Sequence, residues 1–191
     1  MSNINNEQLK QWAKQIYDIA CAHGWHEESK PNELLMALVL SEVAEAIEAD
    51  RKDRRVTEKQ LESFIAITTS DENYKATDLI FKASFENFIK GTLEEELADV
   101  VIRLLDYINM RWENNYDWDY SPSDFDIPDS FPVAAWKLVK NILERGSMNV
   151  RDSIQYVLEW SEKLGINISQ FIEWKMKYNS LRSYKHGGKK Y

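Results

Sequence analysis

The sequence predicts an all-α protein folded as one domain. Three observations carry that prediction. Apolar residues recur at helical spacing through most of the chain. Only 6 Gly and 4 Pro occur in 191 residues, too few for a barrel or sandwich full of tight turns. No low-complexity linker and no short repeat divides the chain.

The elements follow in order. Asn5 to Ala22 reads as a first helix, with Leu9, Trp12, Ala13, Ile16, Ile19 and Ala20 on one face, and His23-Gly24 ends it. Pro31-Asn32-Glu33 opens a second helix that runs to about Asp53. Thr57 to Thr69 and Asn73 to Lys90 are two weaker helical patterns. Gly91-Thr92 breaks the chain; Thr92 is a candidate N-cap, and Glu94, Glu95 and Glu96 suit the first turn of a helix reaching Trp112. Glu113 to Asp129 lacks a period and is rich in Asp, Ser, Pro and aromatics, so it reads as a long loop. Phe131 to Arg145, Arg151 to Leu164 and Ile168 to Leu181 are three further helices, parted by Gly146 and Gly165. Ser183 to Tyr191 is a short basic tail. Trp12, Trp112, Trp136, Trp160 and Trp174 suit core or interface positions.

Composition narrows the chemistry. The formal charge is −8, which argues against a protein that coats a nucleic-acid polymer. Cys21 stands alone, so no intrachain disulfide framework or Cys-rich zinc site is available. The histidines number three, His23, His26 and His186, which counts against a multi-His metal centre. The N-terminus is polar, and the longest apolar run, Leu34 to Leu40, is too short for a bilayer. The expectation is a cytoplasmic protein with no membrane partner.

Acidic residues three apart share a helix face and can jointly hold a divalent cation. Six such pairs occur, and roughly five are expected from composition alone, so spacing proves nothing. Position is more informative. With Leu34 at zero, Leu38 projects near about 40°, Leu35 near about 100°, Glu45 near about 20° and Glu42 near about 80°. Both carboxylates are expected inside the apolar arc, where an unpaired charge is expensive. A metal ion or a pair of buried salt bridges would compensate them. Glu96 borders the arc of Leu97, Val100, Val101 and Leu104, while Asp99 lies further round, beside Arg103 and Asp106, where a solvated face is an equal reading. Glu159 and Glu162 read as a solvated pair. No histidine has a Glu three residues before it, which excludes a ferritin-like di-iron set. Oxygen ligands alone select Mg²⁺, or Mn²⁺ as a substitute, and Mg²⁺ pairs naturally with substrate phosphates.

The segment Leu40-Ser41-Glu42-Val43-Ala44-Glu45-Ala46-Ile47-Glu48-Ala49, with Glu95-Glu96-Leu97-Ala98-Asp99-Val100-Val101, resembles the MazG-like all-α nucleoside triphosphate pyrophosphohydrolases. The run Lys175 to Arg182, followed by Tyr184-Lys185-His186-Gly187-Gly188-Lys189, looks like that family's closing segment. One departure is the long interval between the acidic motifs, read as a helical insertion over residues 54–84. The resemblance implies a helical bundle with a four-helix metal-binding core, and hydrolysis of a nucleoside triphosphate to monophosphate and pyrophosphate in nucleotide-pool housecleaning. It implies that Glu42, Glu45, Glu96 and Asp99 hold one or two Mg²⁺ ions. Glu42 or Glu45 would orient the attacking water, with Glu42 preferred. Lys175, Arg182, Lys185 and Lys189 would meet phosphate oxygens, and Asn179 the base edge or the sugar.

Trp25 and His26 precede the second helix and could flank the base. Plainer readings stand beside these, and for Trp25 the plainer one is preferred: a solvated tail, Asn179 as a helix-end residue, and Trp25 packed over the first helix. A phosphoribosyl-ATP-type pyrophosphohydrolase and a non-enzymatic helical interaction protein are the competing functions. The second helix is apolar on more than one side, through Val39, Val43 and Ala46 as well as Leu34 and Leu38. That pattern and the resemblance both suggest a homodimer or a dimer of dimers.

Overall fold

A computed structural model describes residues 4–69, 78–112, 125–145 and 150–188. Among them are helices and no strands. In chain order these are α1 (Asn6–Ala22), α2 (Asn32–Arg51), α3 (Glu58–Thr69), α4 (Asp78–Phe88), α5 (Leu93–Trp112), α6 (Phe131–Arg145), α7 (Val150–Lys163) and α8 (Ile168–Ser180). The tail forms one short turn, Lys185–Gly188, whose His186 and Gly187 have left-handed backbone angles.

Local chemistry explains the ends. Asn5 accepts the Gln8 N–H at 3.0 Å and starts α1. Thr57 and Gln60 bond reciprocally across the first turn of α3, a capping box. Asp53, with φ of 50°, closes α2 earlier than expected, as Arg54 N–H returns to Ala49 C=O at 2.9 Å. The expected cap on α5 takes another form. Thr92 Oγ1 donates back to Ile89 C=O at 2.7 Å, and Glu95 accepts the Gly91 N–H at 2.7 Å. The start of the expected helix at Asn73 and most of the acidic loop lie outside the described residues.

Helix α5 is the axis of the bundle and touches α1, α2, α7 and α8. Its Leu97, Val101, Leu104, Leu105 and Ile108 are fully buried. Helix α6 packs on α2 and α7. Helix α2 thus has neighbours on α5 and α6 within one chain. Helix α7 is enclosed by α5, α6 and α8, so Glu159 is half-buried rather than solvated, while Glu162 is exposed.

The interval between the acidic helices is a helical hairpin of α3 and α4. Its base closes where Leu93 N–H donates to Arg54 C=O at 2.8 Å. Glu94 reinforces that neck, accepting Val56 N–H at 3.0 Å and pairing with Arg55 at 3.2 Å. Phe64 of α3 is fully buried between Phe81 and Phe85 of α4 and Trp174 of α8, with ring centroids 4.6 to 6.4 Å away. The hairpin thus braces α8, which carries part of the site. No helix among the described residues is long and apolar enough to cross a membrane.

Candidate functional site

A polar stripe runs along α5 inside the bundle. Glu96, Asp99, Arg103 and Asp106 recur at three- and four-residue spacing and so share one face. That face opens onto a cavity of about 920 Å³. Its walls come from α1, α2, α5, α8 and the neck of the hairpin. Asp99 is therefore not on a solvated outer face; its side chain is 15% exposed and meets the cavity.

Glu42, Glu96 and Asp99 each bring a carboxylate oxygen within 4.8 Å of the others. Two helices supply them, α2 the first and α5 the other two. Glu45 lines the same cavity but is exposed, and it stands outside that cluster of three. The buried face of α2 is centred on Leu35, Val39, Val43 and Ala46, not on Leu34 and Leu38 as the projection assumed. Glu42 falls inside that face and Glu45 at its edge.

Cations compensate part of the charge. Arg103 Nε donates to Glu42 Oε1 at 3.0 Å. Lys175 Nζ binds Asp99 Oδ2 at 2.5 Å and also Glu95 Oε1. Glu42, Glu45, Glu95, Glu96 and Asp99 thus have two ion-pair partners among the described residues. Burial pushes the Glu42 and Glu95 carboxyls up, with Asp99 adding to the effect. Glu96 is pushed up to about 9, first by burial and then by Glu95, Asp99 and Glu45. The anionic pair around Lys175 outweighs its burial and holds the ammonium charged. Glu96 has no cation partner among the described residues, and together with the ion-paired Glu42 and Asp99 it makes an all-oxygen donor set of the kind a hard divalent cation takes.

The expected phosphate ligands separate into three groups. Lys175 is buried between Glu95 and Asp99, so it organises the carboxylates and is not a free cation. Lys185 pairs with Glu27 at 3.1 Å and does not line the cavity, and Lys189 lies outside the described residues. Arg182 does line it. Sequence reasoning missed two companions, Arg54 and Lys90, which flank the hairpin neck and also line it. Among the described residues none of Arg54, Lys90 and Arg182 forms an ion pair, so this wall offers positive charge to an anion.

The cavity also has an aromatic and amide lining. Trp25 and Asn179 line it, and the Asn179 Oδ1 is buried without a hydrogen-bond partner among the described residues. Trp25 meets His186 edge-on at 5.1 Å, so it belongs to the cavity wall as well as packing near α1. The tail packs against the connection between α1 and α2. His23 ring nitrogens meet the carbonyls of Ile19 and Arg182, each at 2.8 Å, and Lys185 N–H donates to His23 C=O at 3.0 Å. Tyr184 reaches Glu27, while its ring lies against Gly24.

No protein-family model matches the chain, and no curated protein and no solved structure matches it.

Proposed function

We propose that the chain is a Mg²⁺-dependent nucleoside triphosphate pyrophosphohydrolase, releasing the monophosphate and pyrophosphate. One observation carries the reading. Three carboxylates from two helices converge within 4.8 Å on a cavity whose wall also presents unpaired Arg54, Lys90 and Arg182. A metal site beside a cationic wall suits a polyphosphate chain. The resemblance of residues 40–49 and 95–101 to MazG-like enzymes points the same way.

Glu42, Glu96 and Asp99 would hold the metal, with Glu45 within reach of the same cavity. Mg²⁺, when bound, neutralises the phosphate chain and the charge that develops during in-line displacement at the α-phosphorus. Arg182, Lys90 and Arg54 bind the outer phosphates, arginine by its fork and lysine as a point charge. Glu42 is engaged by Arg103, whereas Glu45 is open to the cavity. Orientation of the attacking water and acceptance of its proton therefore fall to Glu45, not to Glu42. Asn179, one turn beyond Lys175, meets the sugar. Lys175 acts as a positioning residue, fixing Asp99 and Glu95.

Anion-exchange chromatography of purified protein with deoxynucleoside triphosphates and Mg²⁺ tests this. Monophosphate and pyrophosphate in equal amounts are expected, with Glu96→Gln inactive. Diphosphate plus phosphate, or turnover that Glu96→Gln retains, overturns the assignment.

A further inference from the structure

Two cations are bonded to the site carboxylates, and they are not equivalent. The Lys175 side chain is 7% exposed and spends its ammonium on Glu95 and Asp99. Arg103 lines the cavity, and its side chain is 41% exposed. It stands on α5 one turn beyond Asp99. Among the described residues it makes one hydrogen bond, from Nε to Glu42 Oε1 at 3.0 Å. Neither of its Nη atoms is among the buried, partnerless ones, so the N–H groups that Glu42 leaves unused are accessible.

Chemistry decides what such a group offers. A guanidinium carries five N–H donors in a planar fork and stays charged at any working pH. An arginine that only neutralises a carboxylate gains most from two parallel N–H···O bonds. Arg103 engages Glu42 through Nε alone, so its Nη edge is left for another acceptor. The fork suits an anion with several oxygens, and a phosphoryl group is one.

Position decides which phosphoryl group. Glu42, Glu96 and Asp99 converge within 4.8 Å, and Arg103 is bonded to the first of them. Arg103 lies ten residues along α5 from Leu93, where the hairpin neck closes, roughly 15 Å of helix rise. An oxygen at its Nη edge therefore stands beside the carboxylates, away from the neck that carries Arg54 and Lys90. In the triphosphate reading those neck cations hold outer phosphates, and the group beside the carboxylates is the one attacked. The bond to Glu42 orients the guanidinium before substrate arrives, so it need not reorganise as charge develops.

We propose that Arg103 is a catalytic residue, whose Nη groups bind a non-bridging oxygen of the α-phosphoryl group and hold it more tightly in the transition state. In that step the water oxygen bonds to the α-phosphorus and its proton passes to Glu45. The bond from the α-phosphorus to the α,β-bridging oxygen breaks, and its electron pair leaves with pyrophosphate. The inference rests on the triphosphate reading and adds to it a donor that lies outside both acidic motifs.

Kinetics and equilibrium binding of Arg103→Gln in Mg²⁺ test this together. The variant is expected to lose roughly a hundredfold in kcat. Its affinity for the α,β-imido analogue of the best substrate should stay within about threefold of wild type, since the contact strengthens only in the transition state. Substrates with sulfur at one non-bridging α-oxygen add a readout that a structural role would not move. One diastereomer should react at least roughly tenfold more slowly with the wild type, because sulfur accepts hydrogen bonds weakly. Mn²⁺ should leave that penalty in place, which separates it from a contact between the metal and sulfur. In Arg103→Gln the penalty should vanish. Arg103→Lys keeps a charge beside Glu42 without the fork, and it carries the same expectations if Arg103→Gln does not fold. A penalty that persists in the variant, its absence from the wild type, or a variant kcat within about threefold of wild type overturns the assignment of Arg103. In each of those cases turnover still stands for the triphosphate reading. Failure of the wild type to hydrolyse any nucleoside triphosphate overturns that reading, and this inference with it.

Discussion

At the scale of single residues the carboxylates set the behaviour. The Glu96 carboxyl, raised to about 9, keeps its proton in the fold, whereas an unfolded carboxyl releases it near 4.5. Between those values the folded chain binds more protons than the unfolded chain, so this group's contribution to stability falls as pH rises through that window. Glu42 and Glu95 are shifted in the same direction. Metal-free protein should therefore show a melting temperature that declines from about pH 5 to 9, and Mg²⁺ should flatten the decline, since a cation takes the place of the protons. Thermal scans across pH, with and without Mg²⁺, check it. A parallel decline in both would mean that the cluster binds no cation. Lys175 gives a second expectation. Lys175→Met leaves Glu95 and Asp99 buried without their partner and should cost about 3–5 kcal/mol in urea unfolding. A variant of unchanged stability would mean that the ammonium is a free ligand-binding group after all.

At the scale of elements, helical period and glycine breaks made the helices legible, because each apolar stripe faces α5 or a neighbour of it. The period also contained the site in partial form. Arg103 and Asp106 were visible beside Asp99, but a stripe of polar residues reads as solvated until the cavity it faces is known. Burial of Glu42 was legible, while the exposure of Glu45 was not, since the direction of the α2 core depends on where α5 and α6 sit. The partners of Lys175, 80 residues away at Glu95, and of His26, 80 residues away at Asp106, are tertiary facts with no local signature. The tail is an element whose docking can be tested. Gly24 has φ of +76°, and a Cβ there would lie 2.4 Å from the Tyr184 ring. Gly24→Ala should expel Tyr184 and free the basic tail, seen as faster tryptic cleavage at Lys185 with the helical circular dichroism retained. The hairpin offers a comparison. Phe64→Ala should cost about 3–5 kcal/mol and loosen α8, because Phe64 is fully buried against Trp174. Loss of only a few tenths would mean that the hairpin is independent of the bundle.

At the scale of the whole molecule, α6 carries an exposed apolar face. Val133, Trp136 and Leu143 lie along one exposed face of α6, with Trp136 65% exposed. Trp136 is thus a surface residue and not a core one. A homodimer formed through this face is expected, and light scattering during size exclusion should report twice 22.5 kDa, falling to a monomer in Trp136→Ser. A wild-type monomer at micromolar concentration would remove the assembly from the account and leave the cavity unaffected. The cavity itself unites the scales: residues on two helices hold charge, a hairpin neck and a tail supply cations, and α8 braces one wall. Its proposed chemistry is most directly tested by turnover of a nucleoside triphosphate in ¹⁸O-water with Mg²⁺, followed by mass spectrometry of the products. Attack at the α-phosphorus places the label in the monophosphate alone and leaves pyrophosphate unlabelled. Label in pyrophosphate or inorganic phosphate, or no turnover with any nucleoside triphosphate, would contradict it.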